Sequence, residues 1–151
     1  MNIKFSNAIL FISFGALIFI YFFTLPFTTK HNRYTLYFVN MRTGQVGTEI
    51  RFLPKKTFKA REVELVEELM LGPMNHDYYD FMKKNTSYHS CFVDNHTLYV
   101  SFPKSLLPDV QERMPFEQFY ALFEKNIFAN CPNIKEVCLF LDGIQVYEHT
   151  H

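Results

Sequence analysis

The first thirty residues constrain the fold more than any other part of the chain. No charged side chain occurs between Phe5 and Thr29, and residues 7–27 are almost entirely apolar. About 20 apolar residues in a helix, each rising roughly 1.5 Å, span a bilayer core of about 30 Å. The sequence therefore predicts a membrane-spanning helix through residues 8–27.

The composition of this segment favours an uncleaved signal anchor over a cleaved signal peptide. A cleaved peptide has a shorter apolar region that ends in small residues, whereas bulky residues here run from Phe19 to Phe23 and on to Phe27. Cleavage after about Thr28 is the alternative. No cysteine lies near the segment, so an acylated lipoprotein terminus is not expected.

The charges on the two flanks do not decide the orientation in the membrane. Lys4 precedes the segment, while Lys30 and Arg33 follow it, which leans slightly against export under the positive-inside rule. A short N-terminal tail before the first apolar segment is nevertheless the usual form of a signal anchor. We therefore expect a single-pass protein of the cell inner membrane whose C-terminal domain is extracytoplasmic.

The overall charge makes a nucleic-acid partner a poor expectation. The chain has 15 Lys and Arg residues and 15 Asp and Glu residues, which gives a formal net charge of zero. Phosphate binding needs concentrated positive charge, and no block of like charge is present. The three cysteines (Cys91, Cys131, Cys138) are an odd number and favour buried thiols over a disulfide framework, with a Cys131–Cys138 bridge left open for an oxidising compartment.

Alternating and β-rich patterns predict six strands, with turn signals between them. In the second strand Val46, Ile50 and Phe52 share one parity and Glu49 and Arg51 the other, the pattern of a half-buried strand. The dense turn Asp94–His96 predicts a hairpin between the third and fourth strands. The predicted strands are Tyr34–Asn40, Val46–Leu53, Ser87–Val93, Thr97–Phe102, Lys135–Leu141 and Ile144–Tyr147.

Two segments have helical periodicity. The first runs from about Ala60 to Leu71, with Gly72 suited to the left-handed position that ends it and Pro73 unable to continue it. The second begins at Pro115 and ends near Asn130, and its aromatic stripe is typical of a core helix. Residues 103–114, with two prolines, are predicted to be a connection.

These elements predict an α+β fold with two helices packed on one face of a small mixed or antiparallel sheet, preceded by the transmembrane helix. The predicted organisation is a membrane anchor at residues 1–29, a short connector at 30–33 and the α+β domain at 34–148.

No motif in the sequence is typical of an enzyme or a metal site. His89, Cys91, Asp94 and His96 could be imagined around zinc, but no paired CxxC or His-x3-His supports them. The sequence also lacks a Gly-x-Ser-x-Gly elbow and a phosphate-binding glycine loop. Glu64 and Glu68 are expected on the solvated side of the first helix. We therefore predict no catalytic, cofactor-binding or metal-binding residues and no cofactor.

The short motifs, taken in their order and spacing, resemble the GerM domain of bacterial sporulation and germination proteins, over roughly residues 34–147. The resemblance implies an extracytoplasmic module tethered by a lipid or a membrane segment, with a fold like the ring-building motif, that binds or assembles without catalytic residues. The segments that carry the resemblance are Leu36–Asn40, Gly44, Glu49–Leu53, Val63–Pro73, Leu98–Pro103 and Ile134–Gly143.

The sequence leaves two main functions open, besides an enzyme whose site no motif reveals. The first is a membrane-anchored module of the cell envelope that acts through protein partners or self-association, using exposed sheet edges or helix faces. The alternative is a small periplasmic module that binds cell-wall fragments through Tyr78, Tyr79 and Tyr88.

Overall fold

The computed structural model describes residues 12–21, 31–55, 58–83 and 86–146. Residues 12–21 form a helix, α1. Among the described residues, no helix combines the length and the apolar character that crossing a membrane requires. The predicted membrane segment, residues 8–27, extends beyond this helix on both sides and so lies partly outside the described residues.

The remaining elements follow the predicted order, with one additional helix. Strand β1 begins at His31, three residues earlier than predicted, so most of the predicted connector belongs to the strand. The elements are β1 (His31–Val39), β2 (Val46–Pro54), α2 (Arg61–Leu71), β3 (Ser90–Asp94), β4 (Thr97–Phe102), α3 (Leu106–Gln111), α4 (Phe116–Asn130), β5 (Glu136–Leu141) and β6 (Ile144–Val146).

The expectation of a single sheet is wrong, because the strands of the described residues form two sheets. In the described part of the chain, strands β1 and β2 pair as strands only with each other, as an antiparallel hairpin. The other sheet has the order β3-β4-β5-β6 and is mixed, since β4 and β5 are parallel while the other pairs are antiparallel. A parallel pair needs a long crossover, and residues 103–135 supply it with α3 and α4.

Helix α3 lies in the segment that was predicted to be a connection. It begins at Leu106 and has Pro108 as its third residue. Proline is tolerated there because the first N–H groups of a helix have no intrahelical partner. Leu106 and Val110 are buried, and α3 packs against α4.

Helix α4 holds the two sheets together. Its aromatic stripe is core, as predicted, since Phe119, Phe123 and Ile127 are fully buried. On one side the Tyr120 hydroxyl donates to the carbonyl of Val137 in β5, at 2.7 Å. On the other side α4 packs against β1, and this contact determines which edge of the hairpin is covered.

Candidate functional site: the open edge of strand β2

Strand β2 buries its charged face and exposes its apolar face. Arg51 is only 7% exposed, whereas Ile50 is 51% and Phe52 64% exposed. The alternation along the strand is therefore present as predicted. However, the apolar side chains, which the pattern would place in the core, face solvent, and the charged side chains face the core. Contiguous apolar side chains on a protein surface often mark an interaction site.

The buried side of β2 is stabilised by the guanidinium group of Arg51. Its Nη2 donates to the carbonyl of Gly72 at 2.6 Å and to Glu49 Oε1 at 2.8 Å, while its Nη1 donates to Glu68 Oε2 at 2.9 Å. These charge-assisted bonds link β2 to the last turn of α2 and to the residue that ends the helix. The buried charge is thus fully paired, which is what allows it to face inward.

Glu49 completes this network and fixes the loop after α2. Its carboxylate accepts from the backbone N–H groups of Met74, at 3.0 Å, and Asn75, at 3.4 Å. Burial alone would raise the pKa of the Glu49 carboxyl, but the bonds from Arg51 and from these two N–H groups outweigh burial and lower the pKa. The carboxylate therefore stays ionised and paired at neutral pH.

The outer edge of β1 is closed by polar groups from the rest of the domain. The side-chain amide of Asn130 accepts from the N–H of Thr35 at 2.7 Å and donates to its carbonyl at 2.8 Å. Asn126 does the same for Tyr37, at 2.8 and 3.0 Å. Further along, the carbonyl of Val39 accepts from the N–H of Tyr79 at 2.9 Å. Two asparagines one helical turn apart on α4 thus replace a neighbouring strand.

Among the described residues, nothing covers the outer edge of β2 in this way. In an antiparallel pair the N–H and C=O of one residue point to the same side and alternate along the strand. Thr35 and Tyr37 point towards α4, so their partners in register, Ile50 and Thr48, point away from β1. Within the described ranges no hydrogen bond closes the outward groups of Thr48, Ile50 and Phe52.

A groove runs along this open edge. The cavity has a volume of about 500 Å³ and is bounded by β2, the end of α2 and the loop that follows. Leu71 and Met74, which are 70% and 76% exposed, line the groove together with Ile50 and Phe52. Four large apolar side chains therefore surround an unpaired strand edge, and we name this surface the β2 groove.

The expectation that Glu64 and Glu68 lie on the solvated side of α2 is wrong. Glu64 is 4% exposed and accepts a hydrogen bond from the Tyr34 hydroxyl at 2.6 Å. Glu68 pairs with Arg51, as described above. Both carboxylates face the β1-β2 hairpin because its buried side supplies a hydroxyl and a guanidinium group, which periodicity within the helix does not reveal.

The structure does not bring the three candidate tyrosines together in a described cavity. A second cavity of about 600 Å³ is lined by Tyr88, whose hydroxyl donates to Glu67 at 3.1 Å. Tyr78 and Tyr79 line neither of the two described cavities. The ring of Tyr78 instead packs over Gly47, where an added Cβ would lie 2.4 Å from the tyrosine oxygen.

The residues considered for zinc have other partners. His89 Nε2 lies 3.3 Å from Asp142 Oδ1, and His96 Nδ1 lies 2.9 Å from the carbonyl of Asn133. In the described part of the chain no group of three or more His, Cys, Asp and Glu residues is arranged to hold a metal ion.

No disulfide joins the three cysteines, all of which lie among the described residues. Cys131 and Cys138 are buried, as expected for apolar thiols, and Cys91 is half-buried. Burial raises the pKa of the Cys91 and Cys131 thiols to about 12. These two thiols are therefore protonated and poorly nucleophilic at neutral pH.

Sequence reasoning did not find the β2 groove, although one signal in the sequence points to it. Glu49 and Arg51 lie on one face of the strand and have opposite charges, so they can neutralise each other and face inward. The alternate positions, Thr48, Ile50 and Phe52, carry no charge. Exposed edge strands that stay unpaired usually carry charged residues, often Lys, among their outward-facing positions.

Comparison with known proteins confirms the GerM-like fold. Over 78% of this chain and 88% of the other, the structure superposes on the first GerMN domain of the sporulation protein GerM from Bacillus subtilis, with a TM-score of 0.55 and 16% sequence identity. A putative lipoprotein from Clostridium perfringens gives a TM-score of 0.46 at 16% identity, over 77% of this chain and 78% of the other. The domain therefore has a GerM-like fold, as the resemblance in the sequence implies.

The sequence comparisons include a curated relative. An uncharacterized lipoprotein from Treponema pallidum (strain Nichols) is 32% identical over 85 residues, which are 56% of this chain and 63% of the relative. The chain thus spans less than two thirds of the length of that relative. No protein-family model matches the chain.

Proposed function

We propose that the protein is a membrane-anchored, extracytoplasmic binding or assembly module of the bacterial cell envelope, without catalytic activity. Its domain acts through protein–protein contacts in a complex for sporulation, germination or the cell wall. The observation that carries the proposal is the β2 groove, where an unpaired strand edge and four exposed apolar side chains coincide. A strand edge of this kind binds an extended segment through main-chain hydrogen bonds, and apolar pockets add specificity.

The relatives support the location of the domain. The Treponema relative and the Clostridium protein are both described as lipoproteins, and the Bacillus domain belongs to a sporulation protein. The apolar residues 8–27 would give this chain a membrane segment in place of a lipid anchor.

The test compares complexes of the full chain that carry a lysine inside or outside the groove. Phe52→Lys places a charge in the β2 groove, while Ile144→Lys changes an equally apolar side chain on β6 that is 58% exposed. Membranes are solubilised in mild detergent, and the mass of the tagged chain is measured on native gels. We expect Phe52→Lys to lose the high-mass complex and Ile144→Lys to keep it.

Thermal unfolding of both variants shows whether the domain remains folded. An unchanged complex in a folded Phe52→Lys protein would overturn the proposal that the groove makes the protein contacts.

A further inference from the structure

We infer that the occupant of the β2 groove is the β2 strand of a second copy of the chain, paired antiparallel across a two-fold axis at Ile50. This inference rests on the proposed function and specifies its partner. Three separate properties of the strand select the same arrangement.

The first property is the length of the strand. Strand β2 has nine residues, Val46–Pro54, so Ile50 is its central residue. In an antiparallel pair around a two-fold axis, residues equally far from the axis lie opposite each other. An axis at Ile50 therefore places Val46 opposite Pro54 of the second copy, and both strands are paired over their full length.

The second property is the direction of the backbone groups. Thr48, Ile50 and Phe52 point their N–H and C=O groups out of the hairpin. With the axis at Ile50, each of these residues lies opposite another that also points outward. The three pairs would exchange about six hydrogen bonds. Proline, which cannot donate, falls at the end of the ladder, where its effect is smallest.

The third property is the charge on the inward face. With the axis at Ile50, Glu49 of each copy lies opposite Arg51 of the other, so the ion-paired networks of the two chains meet with opposite rather than like charges facing each other. Moving the axis to Glu49 would place the Glu49 carboxylates of the two copies opposite each other. Moving it to Arg51 would place the two guanidinium groups opposite each other. The charges thus select one register among the neighbouring ones.

The rest of the surface is compatible with this pairing. The formal net charge of the chain is zero, so two copies approach without long-range repulsion. Leu71 and Met74 flank the open edge and would be covered by the second strand. The result is a four-stranded sheet with the order β1-β2-β2-β1, closed at both ends by the asparagines of α4.

Disulfide cross-linking of the full chain in detergent tests both the pairing and its register. In Ile50→Cys the two new cysteines meet on the axis with Cα atoms about 5.5 Å apart, within the range of about 4.4–6.8 Å that a disulfide spans. Thr48→Cys is the matched control, because Thr48 is also an exposed residue on the open edge. Its two copies would lie four residues apart along the paired strands, which separates the new cysteines by about 13 Å. The raised pKa values of Cys91 and Cys131 limit competition from these thiols.

We expect Ile50→Cys to form a covalent dimer after mild oxidation with copper–phenanthroline, while Thr48→Cys remains almost entirely monomeric. A dimer through Thr48→Cys instead would overturn the register, and no dimer from either variant would overturn the self-pairing. In that last case, loss of the native complex in Phe52→Lys would still leave the proposed function in place with a different protein as partner.

Discussion

Arg51 shows how a strand can bury a charge and expose its apolar side chains. The guanidinium group meets a carboxylate on its own strand, a carboxylate on α2 and the carbonyl that ends α2. Each of these groups would be costly to bury alone, and together they satisfy one another. The apolar residues of β2 are consequently left on the outside, where they border the β2 groove.

Replacing Arg51 tests the contribution of this network to stability. Arg51→Ala leaves the Glu49 and Glu68 carboxylates without their cation in a largely buried place. We expect the free energy of unfolding to fall by about 3 kcal/mol, the usual cost of breaking a buried ion pair. The measurement is urea unfolding of the full chain in detergent, with circular dichroism as the signal that monitors unfolding.

Arg42→Ala is the matched control for this substitution. Arg42 forms an ion pair with Asp77 at 2.9 Å, but its side chain is 76% exposed. Surface pairs of this kind contribute less than about 1 kcal/mol. Equal losses in the free energy of unfolding of the two variants would show that the buried network stabilises the fold no more than a surface ion pair does.

At the scale of elements, the two edges of the β1-β2 hairpin differ in whether their backbone groups have hydrogen-bond partners. The outer edge of β1 is closed by the side-chain amides of Asn126 and Asn130 and by the backbone of Tyr79. The outer edge of β2 remains unpaired within the described residues. The fold thus prevents sheet growth on one side and permits it on the other.

Asn126→Ala tests whether the asparagine amides close the β1 edge. The substitution removes the partners of the N–H and C=O groups of Tyr37, and leaving such groups unpaired costs about 2 kcal/mol. We expect that loss in the free energy of unfolding, together with faster hydrogen exchange at the Tyr37 amide. Gln118→Ala, an exposed amide on the same helix, should change neither quantity.

The sequence predicts the order of the elements well and their partners less well. Both long helices, the aromatic core of α4 and the Asp94–His96 turn follow from local periodicity and turn residues. Helix α3 was missed because Pro103 before it and Pro108 within it indicate a connection, although Pro108 occupies a tolerated position in the first turn. The division into two sheets and the inward direction of Arg51, Glu64 and Glu68 depend on contacts between distant segments, which local patterns do not contain.

At the scale of the whole molecule, the proposed location of the domain and the proposed use of the β2 groove are connected. A strand edge that pairs readily is an aggregation risk when copies move freely in solution. Attachment through residues 8–27 would confine the copies to a membrane and limit their orientations, so that pairing yields a defined assembly. The proposed anchor and the proposed interface therefore support each other.

The membrane topology can be tested with reporters fused to the C-terminus of the full chain. Because alkaline phosphatase folds to an active enzyme only outside the cytoplasm, we expect this fusion to be active and a green fluorescent protein fusion exported by the same route to be dark. A chain that lacks residues 1–29 is the control and should reverse both results, since it has no export segment. An inactive phosphatase with a fluorescent full-length fusion would place the domain in the cytoplasm.

Carbonate extraction of the membranes then distinguishes an uncleaved signal anchor from a cleaved signal peptide. An uncleaved anchor keeps the chain in the membrane pellet, whereas cleavage after about Thr28 would release a shorter chain.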